Sequence, residues 1–120
     1  MPFPTSLRHF RASEFRFPDK MDPTLLAFLD DLRARSGVPI FISSSFREDH
    51  TLPISSHATG HAVDISDNKS GLPIGSRWRH KVLTVAYTKG VSRIGIYDRH
   101  IHIDNSPTHD QGVTWTGESE

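Results

Sequence analysis

The chain has no cysteine in its 120 residues. Disulfides, thiolate metal cages and a cysteine nucleophile are thereby excluded, so the fold must be held by a buried apolar core. A domain of this length buries about two thirds of its unfolded surface, enough to fold without covalent staples. A transition-metal site here must be built from imidazole and carboxylate. Imidazole is plentiful: His9, His50, His57, His61, His80, His100, His102 and His109. Fourteen Lys+Arg balance fourteen Asp+Glu, which gives no broad attraction to nucleic acid or an anionic membrane. No apolar run approaches the roughly 18 residues of a membrane span.

Residues 1–120 read as a single domain with no repeat, linker or low-complexity stretch. Residues 1–21 form an irregular leader anchored by Phe10, Phe15 and Phe17. Asp22 is a good helix N-cap and Pro23 suits the first helical position. Leu25, Leu26, Phe28, Leu29 and Leu32 follow at helical spacing, and Gly37 is the stop. Val38 to Ser43 predicts a strand, residues 44–56 a loop, and His61 to Ser66 an alternating strand with Asp64 opposite Val63 and Ile65. After the turn-rich stretch 67–75, Ser76 is expected to cap a second helix carrying Trp78, Val82, Val85 and Ala86 and ending at Gly90. Arg93 to Tyr97 begins another strand, which Ile101 and Ile103 are expected to continue. His100, His102 and Asp104 then share its other face. Residues 108–120 are expected to form a frayed tail. Strands and helices mix without strict βαβ alternation, which favours the α+β class.

Two segments carry the chemistry. One is Ser55-Ser56-His57-Ala58-Thr59-Gly60-His61-Ala62-Val63-Asp64; the other is His100-Ile101-His102-Ile103-Asp104. Residues two apart on a strand share a face. Both imidazoles of the second segment can therefore approach one ion, or one can ligate while the other works beside it. In the first segment, Gly60 permits a tight bend that lets an imidazole before it and a carboxylate after it converge. Together the segments supply His, Asp and His. That donor set suits Zn²⁺ with a fourth position left to water, the make-up of a catalytic rather than a closed structural site.

The pattern Ser55-x-His57-x-x-Gly60-x-Ala62-x-Asp64 with His100-x-His102 resembles the zinc D-alanyl-D-alanine carboxypeptidase family. That family also takes in vancomycin-resistance dipeptidases, murein endopeptidases, phage endolysin peptidases and the metal-binding fold of hedgehog signalling domains. LRHFRASEFRF, DDLRARSG and VPIFISSSFR extend the likeness, which covers roughly residues 7–107. The resemblance implies a mostly antiparallel central sheet flanked by two main helices. It implies one zinc ion held by His57, Asp64 and His102. It makes His100 a catalytic group, Arg47 a contact to the substrate carbonyl or carboxylate, and Ser55 a supporting residue near the metal. Several members carry an acidic general base three residues before the last ligand; here that position is Arg99, so His100 is the first choice of base and Asp98 the second.

The implied activity is hydrolysis of the peptide stem of bacterial peptidoglycan, in which zinc lowers the pKa of its water toward 7 and His100 carries the proton. The implied setting is a phage or prophage lysis enzyme, monomeric, made in the cytoplasm without a signal peptide and acting on the wall after release. The opening MPFPTSLRHFRASEFRF has no apolar signal core.

Blander readings stand beside these. Arg47 is otherwise a solvated loop residue. Asp104 either orients an imidazole or caps the following turn. His9, His50, His80 and His109 read as surface, His61 as surface or supporting, and Trp78, Trp115 and Tyr97 as core or rim packing, with the lining of a glycan groove as the alternative. A non-catalytic zinc-binding recognition domain is the alternative function, and a metal-free binding domain the third.

Overall fold

The computed structural model describes residues 3–91 and 93–117. Helix α1 spans Pro23–Ser36. The Asp22 carboxylate accepts from the Leu25 N–H at 3.0 Å, and Gly37 closes the helix at φ 67°, donating to the Arg33 carbonyl. Leu25, Leu26, Leu29 and Leu32 are fully buried, each contributing about 1.5–3 kcal/mol by leaving water. Asp22 does more than cap. Its Oδ2 also accepts from Asn105 Nδ2 at 2.9 Å, and its N–H donates to the Gly60 carbonyl at 2.9 Å.

Helix α2 covers Ser76–Thr88 and buries Trp78, Val82 and Ala86 against the same core. Its cap differs from expectation. Ser76 is the first helical residue and Gly75 the N-cap; Gly75 has no side chain, and its own N–H donates to Asp67 Oδ2 at 2.9 Å.

Five strands form one sheet: β1 Phe41–Ser44, β2 Ala62–Ser66, β3 Arg93–Ile96, β4 Ile101–Asp104 and β5 Val113–Thr116, in the order β1-β2-β4-β3-β5. The first three pairings across this order are antiparallel, and β3 with β5 is parallel. Val63, Ile65, Ile94, Ile101 and Ile103 are fully buried in the core that the helices cover. By the period of two, Asp64, His102 and Asp104 face the other way.

Two expectations fail here. Residues 93–103 do not form one strand. The chain reverses between Tyr97 and His100, where the Tyr97 N–H donates to the His100 carbonyl at 3.0 Å. The reversal pairs Ile94 with Ile103 and Ile96 with Ile101, which satisfies both ladders and stacks apolar side chains in one step. The polar tail is not frayed throughout: Val113–Thr116 adds a parallel fifth strand. Residues 118–120 of that tail, and residues 1–2 of the leader, lie outside the described residues. Within the leader Phe10 and Phe15 are buried as expected, whereas Phe17 is exposed and meets Phe46 edge-on.

Candidate metal centre

The loop after β1 leads into a 3-10 turn, Ser56–Thr59, that carries His57. Ser55 Oγ accepts from the His57 N–H at 3.2 Å, and Thr59 Oγ1 donates to the Ser56 carbonyl at 3.1 Å. Gly60 follows at φ 77°. A Cβ on Gly60 would stand 2.0 Å from the Lys20 carbonyl oxygen, so both the backbone angle and the close approach require glycine. The chain then enters β2, and Asp64 pairs in register with His102 of β4. Three residues distant in sequence thereby meet on the open face of the sheet. His57, Asp64 and His102 offer ligand atoms that all lie within 4.8 Å of one another.

Each imidazole is held from behind. His57 is buried, and its Nδ1 lies 2.8 Å from the Ser45 carbonyl. A carbonyl only accepts, so Nδ1 carries the proton and the Nε2 lone pair faces Asp64 Oδ1 at 3.4 Å. His102 is held at the opposite nitrogen. Its Nε2 lies 2.7 Å from Asp104 Oδ2, leaving Nδ1 toward Asp64 Oδ1 at 3.1 Å. Asp104 is itself fully buried and accepts also from Ser56 Oγ at 3.0 Å, Arg93 Nε at 3.0 Å and the Ser106 N–H at 3.2 Å. This backing fixes tautomer and ring orientation, as the partners of metal-bound histidines do.

The electrostatics follow. Burial would raise the Asp64 carboxyl, but the hydrogen bond from His102 and the neighbouring imidazole of His57 outweigh it and hold it below the usual carboxylate range. Burial likewise opposes a charged His102, yet its bonds to Asp104 and Asp64 prevail and raise its pKa. His100 lies at the end of the turn with Nε2 3.8 Å from Asp64 Oδ2. Its pKa is lowered, first by burial and then by the neighbouring His102 and His57, against the pull of Asp64. With His102 deprotonated at Nδ1, two imidazole lone pairs and one carboxylate converge, a donor set that fits zinc.

These groups sit in an open cleft of about 480 Å³, lined also by Arg47, Ser55, Arg93, Tyr97, His109 and Trp115. The structure therefore brings together His57, Asp64, His102, His100, Arg47 and Ser55, with Asp104 buried behind His102. Asp98 is exposed on the turn, 3.6 Å from Arg99 Nε, and does not line the cleft. His109 was expected on the surface. It lines the cleft because Ser106 Oγ holds its Nδ1 at 2.8 Å. Tyr97 and Trp115 line the cleft, the alternative to packing in the sequence reading, whereas Arg93 is a cleft residue that reading does not contain. Reading 93–104 as a hairpin would have found Arg93, which pairs in register with Asp104. A larger cleft, about 580 Å³, runs along the free edge of β1 past Phe41, Lys69 and Arg99, but no histidine lines it.

The sequence pattern of the family described as Peptidase M15 matches residues 7–104. The chain belongs to the peptidase M15 family. M15 proteins are zinc peptidases, so membership implies a peptidase, a hydrolase, and the His-Asp-His group of this M15 domain could bind the metal. The α+β architecture, with a mostly antiparallel five-stranded sheet and two helices, agrees with that membership. No curated protein matches the chain. No helix among the described residues is long and apolar enough to cross a membrane.

Proposed function

We propose that this M15 domain is a zinc-dependent peptidase that hydrolyses peptide bonds in the stem peptide of bacterial peptidoglycan, with His57 Nε2, Asp64 and His102 Nδ1 as the ligands of one zinc ion. The observation that carries the reading is the backing of the two imidazoles at opposite nitrogens, Nδ1 of His57 and Nε2 of His102, which turns both lone pairs toward the same carboxylate. A surface cluster of histidines has no reason to be so arranged. A zinc ion held there supplies Lewis acidity, polarising a peptide carbonyl and lowering the pKa of water toward 7.

The side chains of the chain do the rest. Burial keeps His100 neutral, so near pH 7 it is a base on the cleft side of Asp64. It takes a proton from the attacking water and returns it to the leaving amine. His100 is favoured over Asp98 because it lines the cleft. Arg47, exposed at the lip, presents its planar fork to the oxyanion or to a terminal carboxylate. Its backbone N–H donates to the His57 carbonyl at 3.2 Å, which couples the lip to the ligand turn. Asp104 and Ser55 act by holding His102 and the His57 turn.

Mass spectrometry of muropeptides after digestion of purified peptidoglycan tests this reading. Cleaved stem peptides are expected, lost on chelation and restored by zinc. Undiminished cleavage by the metal-stripped protein would overturn the zinc mechanism. A stoichiometrically zinc-loaded protein that releases nothing would favour the non-catalytic recognition domain.

A further inference from the structure

We infer that Trp115 and Tyr97 form an aromatic brace that fixes the imidazole of His100, so that strand β5 is part of the active site. The inference rests on the peptidase reading and on His100 acting in it. It adds two positioning residues, one of them beyond the family-matched residues 7–104.

The sheet register places Trp115 beside the candidate ligands. Asp64, His102, Gly95 and Trp115 are successive partners across β2, β4, β3 and β5. Two candidate ligands and an indole thus share one row on one face, and the residue between them has no side chain. A Cβ on Gly95 would lie 2.5 Å from Trp115 Cε2. The bare position lets the indole lie over β3, with its ring centroid 5.3 Å from that of His102.

A chain of contacts leaves the indole. Trp115 Nε1 donates to Tyr97 Oη at 2.8 Å. The Tyr97 ring then stacks on the His100 imidazole, 4.3 Å between centroids and 15° between planes. Gly117 makes the room for this ring too, because a Cβ there would stand 2.8 Å from Tyr97 Cε1. Gly117 is held by its N–H to the Ile96 carbonyl at 3.0 Å. Two glycines flanking two aromatic rings, joined by a hydrogen bond and ending on one imidazole, make a continuous support.

His100 lies just before β4, with its Nε2 3.8 Å from Asp64 Oδ2. A proton-transferring group must be held in orientation to work, and small misplacements are costly. The stacked phenol supplies that orientation while leaving the edge of the imidazole facing the cleft.

The test uses Tyr97→Leu, which removes the stack; Tyr97→Phe, which keeps the stack and removes the acceptor; Trp115→Phe, which removes the donor; and the Phe/Phe double variant. Zinc content, kcat and KM on peptidoglycan-derived peptides, and the NMR shifts of the His100 ring protons are measured for each. Tyr97→Leu is expected to lose kcat by about tenfold or more at unchanged KM and zinc content, part of the 10²–10⁴ that a well-placed acid–base group supplies. The two Phe variants are expected to lose about threefold each, without adding in the double variant, because they break one bond. The His100 ring protons are expected upfield in wild type and Tyr97→Phe and shifted back in Tyr97→Leu. Full kcat in zinc-loaded Tyr97→Leu, or His100 shifts unmoved by that change, would overturn the brace. If Tyr97→Leu does not fold, additive losses in the two Phe variants would overturn it instead. A zinc-loaded wild type with no activity would instead sink the peptidase reading and the catalytic role of the brace with it, while the ring shifts would still decide whether the stack exists.

Discussion

Replacing Asp104 by Asn isolates the tautomer argument. Asp104 accepts four hydrogen bonds, three at Oδ2 and one at Oδ1. An asparagine that turns its carbonyl toward His102, Arg93 and Ser56 must turn its NH₂ toward the Ser106 N–H, which sets donor against donor at a cost of about 1–2 kcal/mol. The opposite rotamer faces three donors and invites His102 to move its proton to Nδ1, the nitrogen that must ligate. The 2.7 Å bond to His102 Nε2 also loses its charge-assisted strength and, with it, part of the imidazole's basicity. Loss of such a backing partner weakens metal affinity about 10–100-fold, or about 1.4–2.8 kcal/mol. Competition with a chromophoric chelator at fixed pH measures this. Asp31→Asn, an equal change of charge on the distant helix α1, is the control. A folded Asp104→Asn protein whose zinc Kd matches wild type would refute the claim that Asp104 sets the donor nitrogen of His102.

Three further outcomes are expected. In metal-free protein the raised pKa of His102 stabilises the fold fully below its ordinary value of 6.5 and is lost as pH rises through the folded value. The lowered pKa of His100 costs stability as pH falls below 6.5, so urea unfolding across pH is expected to show greatest stability near 6.5; a steady rise through that pH would contradict the assignment. Arg47→Ala is expected to lower kcat/KM about 10²-fold with zinc content unchanged, as removal of one oxyanion-stabilising donor does, and steady-state kinetics beside metal analysis checks it. Gly60→Ala is expected to destabilise the domain by more than about 2 kcal/mol in chemical denaturation, since it adds left-handed strain to a backbone collision with Lys20.

What the sequence made legible was local. Asp22, Pro23 and Gly37 punctuate α1 with side chains and angles that act within a few residues, so its limits could be read directly. The bend after His57 was legible for the same reason, because Gly60 acts on its immediate neighbours, whereas the hold of Ser55 on the His57 N–H was not read. The reversal after Tyr97 was not. Asp98 and Arg99 include no glycine or proline to announce a turn, and the driving force is the pairing of Ile94 with Ile103 across it. Strand β5 was missed although Val113, Thr114, Trp115 and Thr116 are all strand formers. Its partner β3 lies some twenty residues back, and a parallel pairing leaves no periodic trace when most of the strand is exposed. The cap of α2 was misplaced because its acceptor, Asp67, comes from the stretch after β2. Cleft residues fell on the same divide: those inside the two motifs were found, whereas Arg93, delivered by long-range pairing, was not.

The contacts of Asp22 carry a consequence for how the centre comes together. A single carboxylate starts α1 and grips Asn105, just past His102, while the backbone of the same residue grips Gly60, just past His57. Fraying of the first helical turn must loosen both histidine-bearing segments together. Ion capture must in turn slow amide exchange at Leu25, whose N–H takes no part in coordination. The amino end of the helix and the ligand cradle therefore open and shut as one cooperative unit.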